Sequence, residues 1–128
     1  MTNQPYQIYV HIPFCKARCG YCAFSSCTNF NLCGDYFNKL CEQIENTPIA
    51  QKNISTIFVG GGTPSSVDSK YLDKLFATLR QKFHLSATEE ITVECNPESV
   101  TTQLLACLKR NGVTRLSFGL QSTNNQTL

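Results

Sequence analysis

Four short β-branched and aromatic runs alternate with three amphipathic stretches, and this order constrains the fold of the chain more than any other feature. Residues 7–12 (QIYVHI), halted by Pro13, read as a buried strand. From about Asp35, the apolar residues Phe37, Leu40, Cys41 and Ile44 recur at i, i+3, i+4 and i+7, which predicts a helix capped by Asp35 and ended near Pro48. Residues 55–59 (STIFV) form a second strand, stopped by Gly60, Gly61 and Gly62. Leu72, Leu75, Phe76, Leu79 and Phe83 mark a second helix with Asp68 or Ser69 as its cap. Residues 90–94 (EITVE) make a third strand closed by Asn96 and Pro97. A third helix over 102–111 turns Leu104, Leu105 and Leu108 inward and stops at Gly112, and residues 113–118 (VTRLSF) supply a fourth strand.

Strand and helix in strict alternation call for a parallel sheet with right-handed crossovers. A complete α/β barrel usually takes roughly 200–250 residues, against 128 here. The expected architecture is therefore α/β: three βα units plus a fourth strand, an incomplete part of a larger barrel that occupies all of residues 1–128. By itself, the fourth strand would present an open edge and an uncovered apolar face, so poor independent folding is expected.

Composition narrows the function. Eleven Lys and Arg against nine Asp and Glu leave a net charge of +2, with no run of like charge longer than two residues. Neither a nucleic-acid footprint nor a basic membrane-binding face is visible. No apolar run approaches the ~20 residues of a membrane span, and the polar N-terminus lacks the blocks of a signal peptide, so a cytoplasmic protein without an integral membrane segment is expected. Eight cysteines in 128 residues lie below the roughly 8–10% that marks a disulfide scaffold. In a reducing compartment such residues bind metal or remain thiols.

Cys15, Cys19 and Cys22 form a CxxxCxxC set directly after the first strand. Thiolates are soft donors that select zinc or iron–sulfur clusters. Zinc sites normally pair two CxxC arms, and an electron-transfer cubane takes four cysteines; neither complement is found here. Three thiolates can hold three iron corners and leave the fourth open for substrate chemistry. A bland reading, reduced structural thiols or a zinc module, stays open on the residues alone. Cys27, Cys33, Cys41, Cys95 and Cys107 read as free thiols, with Cys41 and Cys107 on or beside apolar helical stripes.

The second motif, Gly60-Gly61-Gly62-Thr63-Pro64, also ends a strand. Consecutive glycines let a ligand approach the backbone, although a plain tight turn is an equal reading. It is no nucleotide fingerprint, because Ser65 stands where GxGxxG needs its third glycine and no GK[ST] follows. Glu94 closes the third strand and Gln121 follows the fourth. Parallel barrels gather their C-terminal strand ends at one mouth, so Cys15, Gly61, Glu94 and Gln121 should converge, although each polar group taken singly is an ordinary solvated terminus. His11 and His84 read as structural or surface histidines.

Taken together, Tyr9 to Cys15 (YVHIPFC), Cys19, Tyr21, Cys22, GGGTP at 60–64, Val93-Glu94 with Asn96-Pro97, and Phe118 to Ser122 (FGLQS) resemble the radical S-adenosylmethionine (SAM) proteins of the oxygen-independent coproporphyrinogen III oxidase group. The resemblance covers nearly the whole chain. It implies a partial (βα)6 barrel and a 4Fe-4S cluster held by Cys15, Cys19 and Cys22, whose open iron takes the amino and carboxylate groups of SAM. Reductive cleavage of SAM would then give methionine and a 5'-deoxyadenosyl radical. Positions matching the SAM contacts of the group are Tyr9, Tyr21, Gly61, Gly62, Thr63, Glu94 and Gln121, none of them assigned as a catalytic acid or base.

Within the group, the oxidases resemble a longer protein with a segment before the first strand and an additional Cys after the aromatic-Cys pair. Here the first strand begins almost at Met1, and Ala23-Phe24 follows Cys22. Both features are similar to the heme chaperone branch, although Ala23 stands where that branch often has Asp. The resemblance thus implies a SAM-binding heme chaperone with an electron donor and heme-acceptor proteins as partners, its heme held by regions beyond Leu128. The alternative it leaves is an oxidase that decarboxylates porphyrinogen propionates.

Overall fold

The computed structural model describes residues 6–14, 30–48, 53–85 and 88–118. Its strands are β1 (Tyr6–Ile12), β2 (Ile54–Gly61), β3 (Glu90–Cys95) and β4 (Arg115–Phe118), and its helices are α1 (Cys33–Glu45), α2 (Ser69–Lys82) and α3 (Thr102–Arg110). The strands form one parallel sheet in the order β1-β2-β3-β4. Three βα units and a fourth strand are thus the observed architecture.

Register sorts the side chains into two faces, because strand residues alternate sides and directly paired residues share one. Ile8–Ile57–Ile91 and Val10–Val59–Val93–Leu116 lie in line across the sheet and point toward the helices. They meet Phe37 and Ile44 of α1, Leu72, Leu75, Phe76 and Leu79 of α2, and Leu104, Cys107 and Leu108 of α3 in one core. Phe37 and Phe76 are wholly buried, and burial of such a side chain contributes roughly 1.5–3 kcal/mol. The opposite face carries Gln7–Thr56–Glu90 and Tyr9–Phe58–Thr92–Arg115 as its aligned rows.

Several boundaries differ from the sequence reading for local reasons. Asp35 does not cap α1: the helix starts at Cys33 after a 3-10 turn (Phe30–Leu32), with Leu32 at the cap position making no side-chain bond. The buried Cys33 anchors this start, and Asp35 falls in the first turn, where a negative charge still suits the helix dipole. Gly60 and Gly61 do not stop β2 but belong to it, because His11 and Ile12 continue the ladder opposite them. Leu105 is exposed and Cys107 takes its inward place, since 104, 107 and 108 share a helical face and 105 is turned about 100° away. β4 begins at Arg115, two residues later than expected. Asp68 caps α2, its carboxylate accepting from the Lys70 N–H at 3.0 Å. Gly112 ends α3 in the left-handed region, with φ of 85°.

Helices α2 and α3 are joined by a polar clamp. Asp73 accepts from Arg110 Nε at 3.2 Å and Nη2 at 2.6 Å and from Asn111 Nδ2 at 2.7 Å. The amide oxygen of the buried Asn111 accepts in turn from Arg80. These bonds hold the Asp73 carboxyl below its ordinary range, the Arg110 hydrogen bond being the largest cause and Asn111 the next.

Candidate functional site at the strand tips

The C-terminal end of the sheet is built around the contact between β1 and the glycine turn. Beyond Ile12 the ladder continues: Gly62 N–H donates to Ile12 O at 2.8 Å and Thr63 N–H to Phe14 O at 2.7 Å. A β-carbon on Gly62 would lie 2.7 Å from Phe14 O and 3.0 Å from Phe14 N and C, so only glycine lets the two backbones approach this closely. Gly61 has a φ of 120° and, with a side chain, would meet Ile12 O at 2.7 Å. The glycine run thus seats the residue that immediately precedes Cys15. Phe14 is buried and packs edge-on against Tyr36 of α1, with ring centroids 5.5 Å apart. The Tyr36 hydroxyl donates to His11 O, which ties α1 to the same strand end.

Glu94 closes the site from β3. Its Oε1 accepts from Gly61 N–H at 3.0 Å, and a β-carbon on Gly60 would fall 2.6 Å from that oxygen. Bare glycine at 60 therefore makes room for the carboxylate. Tyr9 stacks on Phe58, with centroids 5.9 Å apart and planes 16° apart, and its hydroxyl lies 3.3 Å from His11 Nδ1. Partial burial, then the Glu94 charge, raise the Tyr9 phenol above its ordinary pKa. Burial and then Tyr9 do the same for Tyr36. The turn after β2 is fastened to the end of β3 by Asn96 N–H donating to Ser65 Oγ at 3.0 Å.

Of the residues singled out in the sequence, Tyr9, Gly61, Gly62, Thr63 and Glu94 are brought to this end of the sheet. Cys15, Cys19, Cys22, Tyr21, Gln121 and Cys27 lie outside the described residues. His11 sits beside Tyr9 at the same tip, whereas the exposed His84 pairs through its backbone with Asn53 away from it. Sequence reading passed over Phe58, Tyr36 and Arg115. Phe58 and Arg115 could have been found by following the two-residue period along their own strands, because each alternates with apolar residues, Ile57 and Val59 in β2 and Leu116 in β4, that face the helices.

Cys33, Cys41, Cys95 and Cys107 are buried and form no disulfide, and no cluster of three or more metal-binding side chains is found among the described residues. Burial pushes the Cys95 thiol up to about 11, against a Ser65 hydrogen bond that lowers it, with the Glu94 charge adding a smaller upward push. A raised thiol pKa leaves little thiolate at neutral pH, and the thiolate is the nucleophile. Iodoacetamide at pH 8 is therefore expected to leave Cys95 unmodified in the native protein and to label it on unfolding. Mass spectrometry of the peptide containing Cys95 checks this, and rapid native labelling would contradict the burial assigned to it.

No helix among the described residues is long and apolar enough to cross a membrane. The Radical SAM superfamily family model matches residues 9–128. Heme chaperone HemW of Mycobacterium tuberculosis is 37% identical over 134 residues, covering 100% of this chain and 34% of the relative. The oxygen-independent coproporphyrinogen III oxidase of Salmonella typhimurium is 31% identical over 128 residues, covering 97% of this chain and 28% of the relative. The solved structure of coproporphyrinogen III oxidase (HemN) from Escherichia coli, a radical SAM enzyme, superposes with a TM-score of 0.81 at 31% identity, covering 91% of this chain and 28% of that one. The chain spans about a third of the length of the curated relatives it matches. With the parallel βα sheet, the glycine turn locked onto the strand that leads to Cys15, and a family match over nearly all its residues, the chain belongs to the radical SAM superfamily.

Proposed function

We propose that this chain is the cluster- and SAM-binding part of a cytoplasmic heme chaperone of the HemW kind. The observation that carries the proposal is the backbone ladder from Gly62 and Thr63 to Ile12 and Phe14, closed by Glu94 on Gly61. It sets a polar, glycine-lined cradle one residue from a set of soft thiolate donors, and these residues fit a cluster with a small zwitterion beside it. Cys15, Cys19 and Cys22 would hold the 4Fe-4S cluster. Tyr9, Tyr21, Gly61, Gly62, Thr63, Glu94 and Gln121 would hold SAM. When bound, this pair supplies reductive cleavage of the SAM sulfonium, which requires an electron donor.

The chain's own residues contribute position and charge. Glu94 presents a carboxylate already oriented by the Gly61 N–H, suited to an ammonium or a ribose hydroxyl. Tyr9 and Phe58 offer a stacked aromatic pair. The chaperone reading is favoured by the higher identity to HemW across the whole chain and by Ala23-Phe24 after Cys22. The acceptor proteins, and part of the heme contacts, would involve regions of the longer relatives that this chain does not span.

The structural likeness to HemN supports a second reading, an oxidase acting on coproporphyrinogen. The two separate in one assay. Intact protein, reconstituted anaerobically and given reductant, SAM and coproporphyrinogen, is expected to form no protoporphyrinogen while binding heme; product above the background of a cluster-free control would establish the oxidase.

A further inference from the structure

The sheet face opposite the helices has a composition that a packed barrel would not. Barrel interiors are ordinarily filled by layers of branched apolar side chains. Here the rows on that face are Gln7–Thr56–Glu90 and Tyr9–Phe58–Thr92–Arg115, followed toward the strand tips by His11–Gly60 and Glu94–Ser117. Tyr9 is 60% and Phe58 36% exposed, and their rings stack on each other as an exposed aromatic pair. At the other end of the same row stands Arg115, the one lysine or arginine that the register places on this face among the described residues. Its Nη1 donates to Glu90 Oε2 at 2.9 Å. Between them, Thr92 is small and covered.

Such a row suits a ligand with an apolar body and an anionic arm. A guanidinium has five N–H donors in a planar fork that matches a carboxylate, so Arg115 can keep Glu90 on Nη1 and still take a second carboxylate. Ser117 lies two residues beyond Arg115 on the same face and pairs with Glu94, which puts Arg115 about 6.6 Å along the strand from the cradle. A molecule in contact with Arg115 would therefore lie directly below whatever Glu94 holds. We propose that Arg115 is a specificity-determining residue that binds a carboxylate arm of the tetrapyrrole, with the exposed Phe58 ring beside the macrocycle and Glu90 as the resting counter-ion. This rests on the tetrapyrrole reading made above and adds where and by which group the ligand is held.

The test uses intact, anaerobically reconstituted protein and two probes, heme and heme dimethyl ester, which share a macrocycle and differ in their carboxylates. Wild type is expected to bind the free acid about tenfold more tightly than the ester, the scale of a charge-assisted hydrogen bond. Arg115→Gln is expected to lose that preference by weakening acid binding while ester binding, iron content and SAM binding stay unchanged. Arg115→Lys should restore part of it. Should Arg115→Gln lose iron through the stranded Glu90, the double variant Arg115→Gln/Glu90→Gln removes both charges and decides the matter. An acid-over-ester preference that survives in both variants overturns the role of Arg115 and leaves the tetrapyrrole reading standing. Wild type that binds neither probe overturns that reading and this inference with it.

Discussion

Cys19→Ala is expected to leave the intact protein, reconstituted anaerobically, without a stable four-iron cluster. The CxxxCxxC set offers three thiolates for three iron corners, and two remaining thiolates cannot hold three irons. The effect is close to all-or-none: the brown colour and the thiolate-to-iron charge-transfer absorbance should vanish, and iron should fall from about four per chain toward background. Buried thiols supply the control. Cys41 lies on the inner face of α1 within van der Waals packing, so Cys41→Ser should keep its iron and lose only some stability. Full iron content in Cys19→Ala would remove Cys19 from the ligand set, and zinc in place of iron in wild type would point to a thiol module without redox chemistry.

Gly62→Ala is expected to cause the second largest loss, through backbone geometry. The added methyl would sit 2.7 Å from Phe14 O and 3.0 Å from Phe14 N and C. These are main-chain atoms held by the buried Phe14 ring, so they cannot swing aside as a flexible side chain would. Relief requires separating the turn from β1, which breaks the bonds of Gly62 to Ile12 O and of Thr63 to Phe14 O. Overpacking costs about 1–3 kcal/mol and each of the two lost hydrogen bonds about 0.5–1.5 kcal/mol, so a destabilisation on the order of 2–6 kcal/mol is expected. Because Phe14 precedes Cys15, cluster incorporation should fall as well. Gly112→Ala makes the comparison: its φ of 85° is strained for alanine, but the nearest atom to a new methyl is Ile91 Cδ1 at 3.9 Å. That variant should lose about 1–2 kcal/mol and no iron. Thermal melts and iron analysis of the two side by side measure the difference, and a Gly62→Ala protein with wild-type melting temperature and iron would mean the turn and β1 are not coupled as described.

The order of elements was legible because it rests on local periodicity: apolar residues at i, i+3 and i+4 choose helix, β-branched runs choose strand, and alternation of the two implies parallel pairing. The errors cluster where a partner in space decides. Asp35 has the chemistry of a cap, yet with Cys33 buried the cap position falls three residues earlier, at Leu32. Gly60 and Gly61 look like a strand stop, yet β1 runs alongside them and keeps them in the ladder. Leu105 is as apolar as Leu104, but only one of them can face α2 and the sheet.

The same division holds for the site. Sequence alone singled out the thiolate set, which lies outside the described residues, together with the glycine turn and Glu94, because each carries its chemistry in its own side chain or in its lack of one. The tertiary structure decided what those glycines accommodate: Gly62 admits the Phe14 backbone and Gly60 the Glu94 carboxylate, contacts between residues far apart in the chain. It also decided that Tyr9, Phe58, Thr92 and Arg115 stand in one row. Strand register sets that row, and register depends on how four separate segments pair across the sheet, which no single segment encodes.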